Sequence, residues 1–241
     1  MSEKKRSQVA DINRSLYDFT KSEEGYERYA DGLTPEIVRT ISAKKDEPEW
    51  MLQFRLSALE TYHTRDMASN WGPSITGLDM DHISTYVSTK QSNNWDDVPE
   101  DIRDTFERLG IPKAEAESLA GVGAQYDSEI VYHNMRKEVA EQGVIYTTIE
   151  DALHDPKWEP VVKQYFGTLI PPADHKFAAL HYAVWSGGSF VYVPAGVSLD
   201  YPLQSYFRLN AQGAGQFEHT LIIVEKGADL HFIEGCSAPK Y

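Results

Sequence analysis

A chain of 241 residues, 41% hydrophobic and 25% charged, has the make-up of an ordinary globular protein, long enough for one large domain or two smaller ones. Its formal net charge of −14 argues against a nucleic-acid binder, whose affinity rests on Lys and Arg neutralising phosphates. A single cysteine, Cys236, excludes an internal disulfide. No apolar run follows the polar start Met1-Ser2-Glu3-Lys4-Lys5-Arg6-Ser7, so neither a signal peptide nor a membrane span is expected and the cytoplasm is the default location.

Residues up to about Gly32 read as a loosely held arm with a short helix near Val9 to Tyr17. Thr34-Pro35-Glu36 is a helix start: a hydroxyl N-cap, proline in the first turn, and an acid facing the positive end of the dipole. Asp46-Glu47-Pro48-Glu49 resembles a capping box. The helix after it sets Met51, Phe54, Ala58, Leu59 and Tyr62 at spacings of three and four, a core-facing stripe. Trp71-Gly72-Pro73 punctuates the chain. Helices are then expected over Pro99 to Leu109 and Pro112 to Ala120, closed by Gly110 and Gly121. Gly121-Val122-Gly123 lacks both the G-x-G-x-x-G fingerprint and the Lys-Ser/Thr of a P-loop, so it reads as an ordinary loop. Ser128 to Gln142 reads as an amphipathic helix with Ile130, Val131, Met135 and Val139 inward, carrying a His133 better suited to packing or solvent than to ligation.

From Val144 the pattern changes. A strand at Val144-Ile145-Tyr146, two short helices ending near Gly167 and a helix from Asp174 to Val184 lead into short strands punctuated by glycine and proline. Residues 190–199 can be laid over 221–230 at a constant offset of 31, with Val193 on Val224, Gly196 on Gly227 and Leu199 on Leu230. Each copy is strand, turn, strand, the pattern of a stacked β-solenoid, although a sandwich or cupin-like barrel also gives short strands with glycine turns. A solenoid coil hydrogen-bonds to the next, and nothing after Tyr241 caps the last one, so the expectation is a chain that forms the N-terminal part of a longer protein.

Cys236 lies in Glu234-Gly235-Cys236-Ser237-Ala238-Pro239. A lone cysteine is most often a small buried hydrophobe. The sharper reading is a nucleophilic or sulfur-carrying thiol, which needs a nearby positive charge or base, and Arg208 on the preceding strand-like segment is one candidate. Gly235 leaves room for a close approach. His219 shares a strand face with Phe217, Leu221 and Ile223, and that face is expected to point inward. A rival site of His219, Glu225, His231 and Glu234 resembles the metal ligands of a cupin enzyme but lacks the tight H-x-H pair. One cysteine alone does not hold an iron–sulfur cluster, which takes four ligands.

Several long runs then carry a family resemblance: Glu47-Pro48-Glu49-Trp50-Met51-Leu52, Trp95-Asp96-Asp97-Val98-Pro99-Glu100-Asp101-Ile102, Leu119-Ala120-Gly121-Val122-Gly123-Ala124-Gln125-Tyr126, Ala183-Val184-Trp185-Ser186-Gly187-Gly188-Ser189-Phe190, Pro202-Leu203-Gln204-Ser205-Tyr206-Phe207-Arg208-Leu209-Asn210, and the segment around Cys236. Across nearly its whole length the chain resembles the SufB family, scaffold subunits of the SUF iron–sulfur cluster assembly machinery. The resemblance implies an α+β architecture: an N-terminal helical domain over 1–143, its first ~30 residues loosely ordered, then a right-handed parallel β-helix over 144–241 that is incomplete at its C-terminal end. It implies a scaffold and not a turnover enzyme. The partners are a SufD-like subunit, a SufC-like ATPase, and a cysteine desulfurase with its sulfur-transfer protein; neither nucleic acid nor membrane is implied. By the same resemblance Cys236 accepts sulfur as a persulfide, and Arg208 and Asn210 line the sulfur-transfer path. An iron–sulfur cluster is built transiently in the full complex, with which a reduced flavin (FADH2) is associated. A cupin-like metal-dependent enzyme and a purely structural assembly platform stand as alternatives.

Overall fold

The computed structural model describes residues 18–23, 26–29, 32–67, 75, 77, 82–88, 98–111 and 118–239. The expected helix near Val9 to Tyr17, the Trp71-Gly72-Pro73 punctuation and most of the expected helix from Pro112 lie outside the described residues. A short antiparallel pair joins β1 (Glu27–Tyr29) to β2 (Tyr86–Ser88). Helix α1 (Pro35–Lys44) starts as its sequence predicts, with the Thr34 hydroxyl accepting the Ile37 N–H at 3.3 Å and Pro35 in the first turn. Helix α2 (Glu49–Thr64) buries Met51, Ala58, Leu59 and Tyr62, the stripe read from spacing.

The capping box at Asp46 does not form. Pro48 stands at the N-cap of α2 without a side-chain bond, and Asp46 sits in the left-handed region at φ 48°. Its segment is already committed to closing α1: the Asp46 and Glu47 N–H groups return to the carbonyls of Ala43 and Ser42. The Glu47 carboxylate is spent on Arg55, which donates from Nε and Nη2 at 2.7 and 2.6 Å. Arg55 also donates to the carbonyls of Ala183 and Trp185 at 3.2 and 2.8 Å, which ties α2 to α7 (Lys176–Val184). Around this pair α1, α2 and α7 share a core with Leu153, Val162, Phe166 and Trp185. Helices α5 (Ile149–His154) and α6 (Glu159–Tyr165) are the two short helices expected before Gly167. Helix α3 (Glu100–Arg108) buries Ile102 and Phe106 and is followed by Gly110 at φ 78°.

The largest departure from the sequence reading lies between 121 and 142. Gly121-Val122-Gly123 is not a loop but the start of β3 (Gly121–Tyr126). Ser128 to Gln142 is not one helix but β4 (Glu129–Met135) followed by a single turn, α4 (Lys137–Ala140). β3 and β4 form an antiparallel hairpin turning at Asp127-Ser128, with Asp127 left-handed at φ 51°. The glycines of β3 serve close approach rather than turning. A Cβ on Gly123 would stand 2.9 Å from the Tyr146 hydroxyl, and one on Gly121 would stand 3.0 Å from the same ring. His133 therefore lies on a strand, its ring centroid 4.2 Å from that of Tyr146.

Two larger sheets result. One has the order β4-β3-β7-β9, with β7 at Leu203–Arg208 and β9 at Phe232–Ser237. The other is β5-β6-β8, with β5 at Ile145–Thr148, β6 at Ser189–Val193 and β8 at Leu221–Val224. The first sheet crosses position 143, since β3 and β4 come before it and β7 and β9 after. The offset of 31 is a physical register. β6 pairs in parallel with β8, Phe190 on Leu221 through Val193 on Val224, and a bridge joins Ser198 to Asp229. The two turns repeat each other, with Val197 N–H on Pro194 O and Ala228 N–H on Glu225 O, and Gly196 and Gly227 both at φ 73°. Beyond the turns the offset drops to 29, Leu203 pairing with Phe232, because the second copy has two residues fewer there. Tyr146 connects the sheets, donating to the Gln204 carbonyl at 2.7 Å and lying 3.0 Å from the Ser205 hydroxyl, itself 2.7 Å from Ser189 Oγ. Val144, Val191, Val193, Leu199 and Leu203 fill the space around it.

Candidate functional site

Cys236, Arg208 and Asn210 lie at or just beyond the C-terminal ends of β7 and β9. Cys236 is exposed and unpaired with any other cysteine, so the core-residue reading is overturned. In the parallel register it lies beside Phe207 and shares a face with Phe207, Ser205 and Glu234. Arg208 is opposite Ser237, one step further, and therefore on the other face. Its Nη1 donates to Ser237 Oγ at 3.1 Å. The sheet thus brings Arg208 to the residue after the cysteine and not to the thiol itself. Gly235 does leave room, but a neighbouring strand takes it: a Cβ there would stand 2.9 Å from the Tyr206 ring.

Arg208 and Asn210 are both fully buried. Much of their covering is the segment 18–23. Arg208 Nη2 donates to the Phe19 carbonyl, and its guanidinium carbon lies 4.6 Å from the centre of the Phe19 ring. Arg108 approaches the same ring at 4.2 Å. The Asn210 side chain treats Lys21 as a strand would: its Oδ1 accepts the Lys21 N–H at 2.9 Å and its Nδ2 donates to the Lys21 carbonyl at 3.2 Å. From below, Asp127 Oδ1 accepts the N–H groups of Asn210 and Ala211 at 2.6 and 3.0 Å. Burial pushes the Asp127 carboxyl above its ordinary range, while those two N–H groups pull it back down. Phe19, Lys21, Asp127 and Ser237 were not found by sequence reasoning. No local pattern joins Lys21 to Asn210 across 189 residues, and only the left-handed Asp in Tyr126-Asp127-Ser128 carried a turn signal.

His219 packs as a core histidine. Its Nδ1 lies 3.0 Å from His181 Nε2, and Phe166, Tyr182 and Trp185 surround it, the nearest ring centre at 4.2 Å. Burial, together with the other imidazole, holds His219 down to about 3; burial and nearby Arg55 hold His181 down to about 4. Glu225, His231 and Glu234 are exposed. Among the described residues no three His, Cys, Asp or Glu side chains converge as a metal site, so the cupin-like set is not gathered. A separate ionic cluster seats Lys45 between Glu150 at 2.9 Å and Glu129 at 3.3 Å, beside a cavity of about 490 Å³ also lined by Tyr86 and His154. Burial draws the Lys45 ammonium down, but the two carboxylates outweigh it and hold the group above the usual lysine range. No helix of the described residues is long and apolar enough to cross a membrane.

No protein-family model matches the chain. Among curated proteins it is 50% identical, over 96% of its length, to iron–sulfur cluster assembly SufBD family proteins of Staphylococcus aureus strains MRSA252 and USA300. It is 49% identical over the same share to the SufBD family protein of Staphylococcus saprophyticus. In each case it covers 50% of the relative, so the chain spans about half the length of the curated relatives it matches. Those relatives are named as iron–sulfur cluster assembly proteins of the SufBD family, a name that does not distinguish SufB from SufD.

Proposed function

We propose that this chain is the sulfur-accepting part of a SufB-type scaffold, with Cys236 as the acceptor. The single observation carrying this reading is an exposed thiol at the end of a β-strand, one register step from a buried arginine. The thiolate of Cys236 attacks the outer sulfur of a persulfide on the sulfur-transfer partner. One S–S bond forms on Cys236, the donor's S–S bond breaks, and the donor leaves as a thiolate. Arg208 and Asn210 offer guanidinium and amide donors along the path that anionic sulfur then takes. Iron and sulfur are the scaffold's substrates, the assembled cluster is its cargo, and the ATP chemistry belongs to a SufC-like partner working with a SufD-like subunit in the cytoplasm. The reduced flavin draws no support from these residues.

The architecture that fits is a right-handed parallel β-helix, of which β6-turn and β8-turn are successive coils. The shared turn geometry and the register of 31 support it. The test is cluster assembly in a complex reconstituted with the ATPase, the SufD-like subunit, the desulfurase and its transfer protein. Replacing Cys236 by Ser is expected to lower the rate of cluster formation at least tenfold, with complex formation unchanged. His219→Ala in the same assay separates the readings: a loss of bound metal and activity there, with Cys236→Ser silent, would favour a metal-dependent enzyme. Silence of both would leave a structural platform.

A further inference from the structure

The residues up to about Gly32 read from sequence as a loose arm, yet part of that arm is anchored at 18–23. Segment 18–23 lies across the end of β7, and several of its contacts fall on or beside the Arg208–Asn210 strand end. The Phe19 ring lies against the guanidinium groups of both Arg108 and Arg208, at 4.2 and 4.6 Å from the ring centre. The Phe19 carbonyl accepts from Arg208 Nη2. The Lys21 backbone is clamped through both its N–H and its carbonyl by the Asn210 side chain. Lys21 Nζ reaches Asp104 on α3 at 3.0 Å.

None of these is an apolar core contact, and Phe19 belongs to none of the three hydrophobic clusters. A strip held by polar bonds and a stacked ring rather than by apolar core packing belongs to the less stable part of a fold and opens without the rest. The groups beneath it are a different matter. Arg208 is tied by its side chain to Ser237 on β9, and the Asn210 backbone by Asp127 at the β3–β4 turn, so the strand end that carries them keeps its own supports when the strip leaves. Opening would therefore expose a preorganised guanidinium and a side-chain amide, a donor set suited to an anion, beside the strand end that carries Cys236.

We propose that residues 18–23 form a displaceable strap over the Arg208–Asn210 end of β7, and that its release opens these donors to an anionic sulfur ligand. The sulfur identity of the ligand rests on the sulfur-accepting reading of Cys236; the strap itself does not. Phe19→Ala removes the ring that both arginines contact without touching the sheet, and Lys21→Pro removes the N–H given to Asn210. Phenylglyoxal, an arginine-specific reagent, read by peptide mass mapping, reports on Arg208 directly. In the wild-type chain Arg208 is expected to resist modification, and in either variant it should react at least tenfold faster at an unchanged melting temperature, with trypsin cleaving faster after Lys21 in Phe19→Ala. Equal Arg208 reactivity in all three proteins, or reactivity gained only together with a lowered melting temperature, overturns the strap. The rate of persulfide formation on Cys236 from a desulfurase and its transfer protein should rise in the same variants. An open Arg208 with an unchanged persulfide rate overturns the gating role. If wild-type Cys236 takes up no sulfur at all, the sulfur-accepting reading fails while the phenylglyoxal result still decides the strap.

Discussion

Arg55 shows how much of this fold one side chain can hold. It is wholly buried, forms a two-pronged pair with a Glu47 carboxylate that is 1% exposed, and caps two carbonyls at the end of α7. Removing one member of such a pair leaves an uncompensated buried charge, which costs about 3–5 kcal/mol. Arg55→Leu is expected to lower the urea-unfolding free energy by about that amount. Replacing Glu47 by Leu as well should recover a large part of the loss, because the orphaned carboxylate goes with it. A single variant within ~0.5 kcal/mol of wild type, the range of an inconsequential surface change, would contradict this role. The sequence concealed it: a charged residue between Phe54 and Leu56 reads as the solvent side of a helix. Cys236 was concealed in the opposite sense, since composition favours burial for a lone cysteine while its strand position leaves it exposed.

At the level of elements, legibility followed local periodicity. Helices α1, α2, α3 and α7 announced themselves by apolar spacing and, for α1, by the Thr34 cap. β6 and β8 were legible through their own repeat, because a parallel register stacks equivalent turns and so preserves glycine at equivalent places. The β3–β4 hairpin was misread for a physical reason. Ile130, Val131, Met135 and Val139 fall at helical spacings, but β4 is decided by partners far along the chain: β3 fits only beside β7 and beneath Tyr146, where its glycines let the ring approach. Tertiary contact overrode local pattern there. The same holds at the site. Arg208, Asn210 and Cys236 were all nameable from sequence, but the alternation that sets Arg208 on Ser237 and Cys236 on Phe207 follows from the 29-residue register, which differs by two from the offset visible in the turns.

For the molecule as a whole, the half-buried histidines make stability depend on acid. His133, His181 and His219 are held down to about 4, 4 and 3 from an ordinary 6.5, chiefly by burial. In the folded chain they stay neutral below 6.5, whereas in the unfolded chain they take up protons there. The unfolded state therefore binds more protons as pH falls from 6.5 to about 4, and stability is lost over that window. The slope flattens once pH drops below the folded values, where both states are protonated. Melting temperatures taken from pH 7 to pH 4 are expected to fall steadily, and His133→Gln should make the fall shallower. A flat profile across that window would contradict the buried, neutral assignment.

Scaffold chemistry in this chain requires that sulfur reach Cys236. Incubating the chain with a cysteine desulfurase, its transfer protein and isotopically labelled cysteine, then mapping peptides under non-reducing conditions, locates any sulfur taken up. The expected result is one or more labelled sulfur atoms on the peptide containing Phe232–Ser237, released by a reductant and missing from Cys236→Ser. Labelled sulfur bound equally by wild type and Cys236→Ser, or no uptake by the wild-type chain, would contradict it.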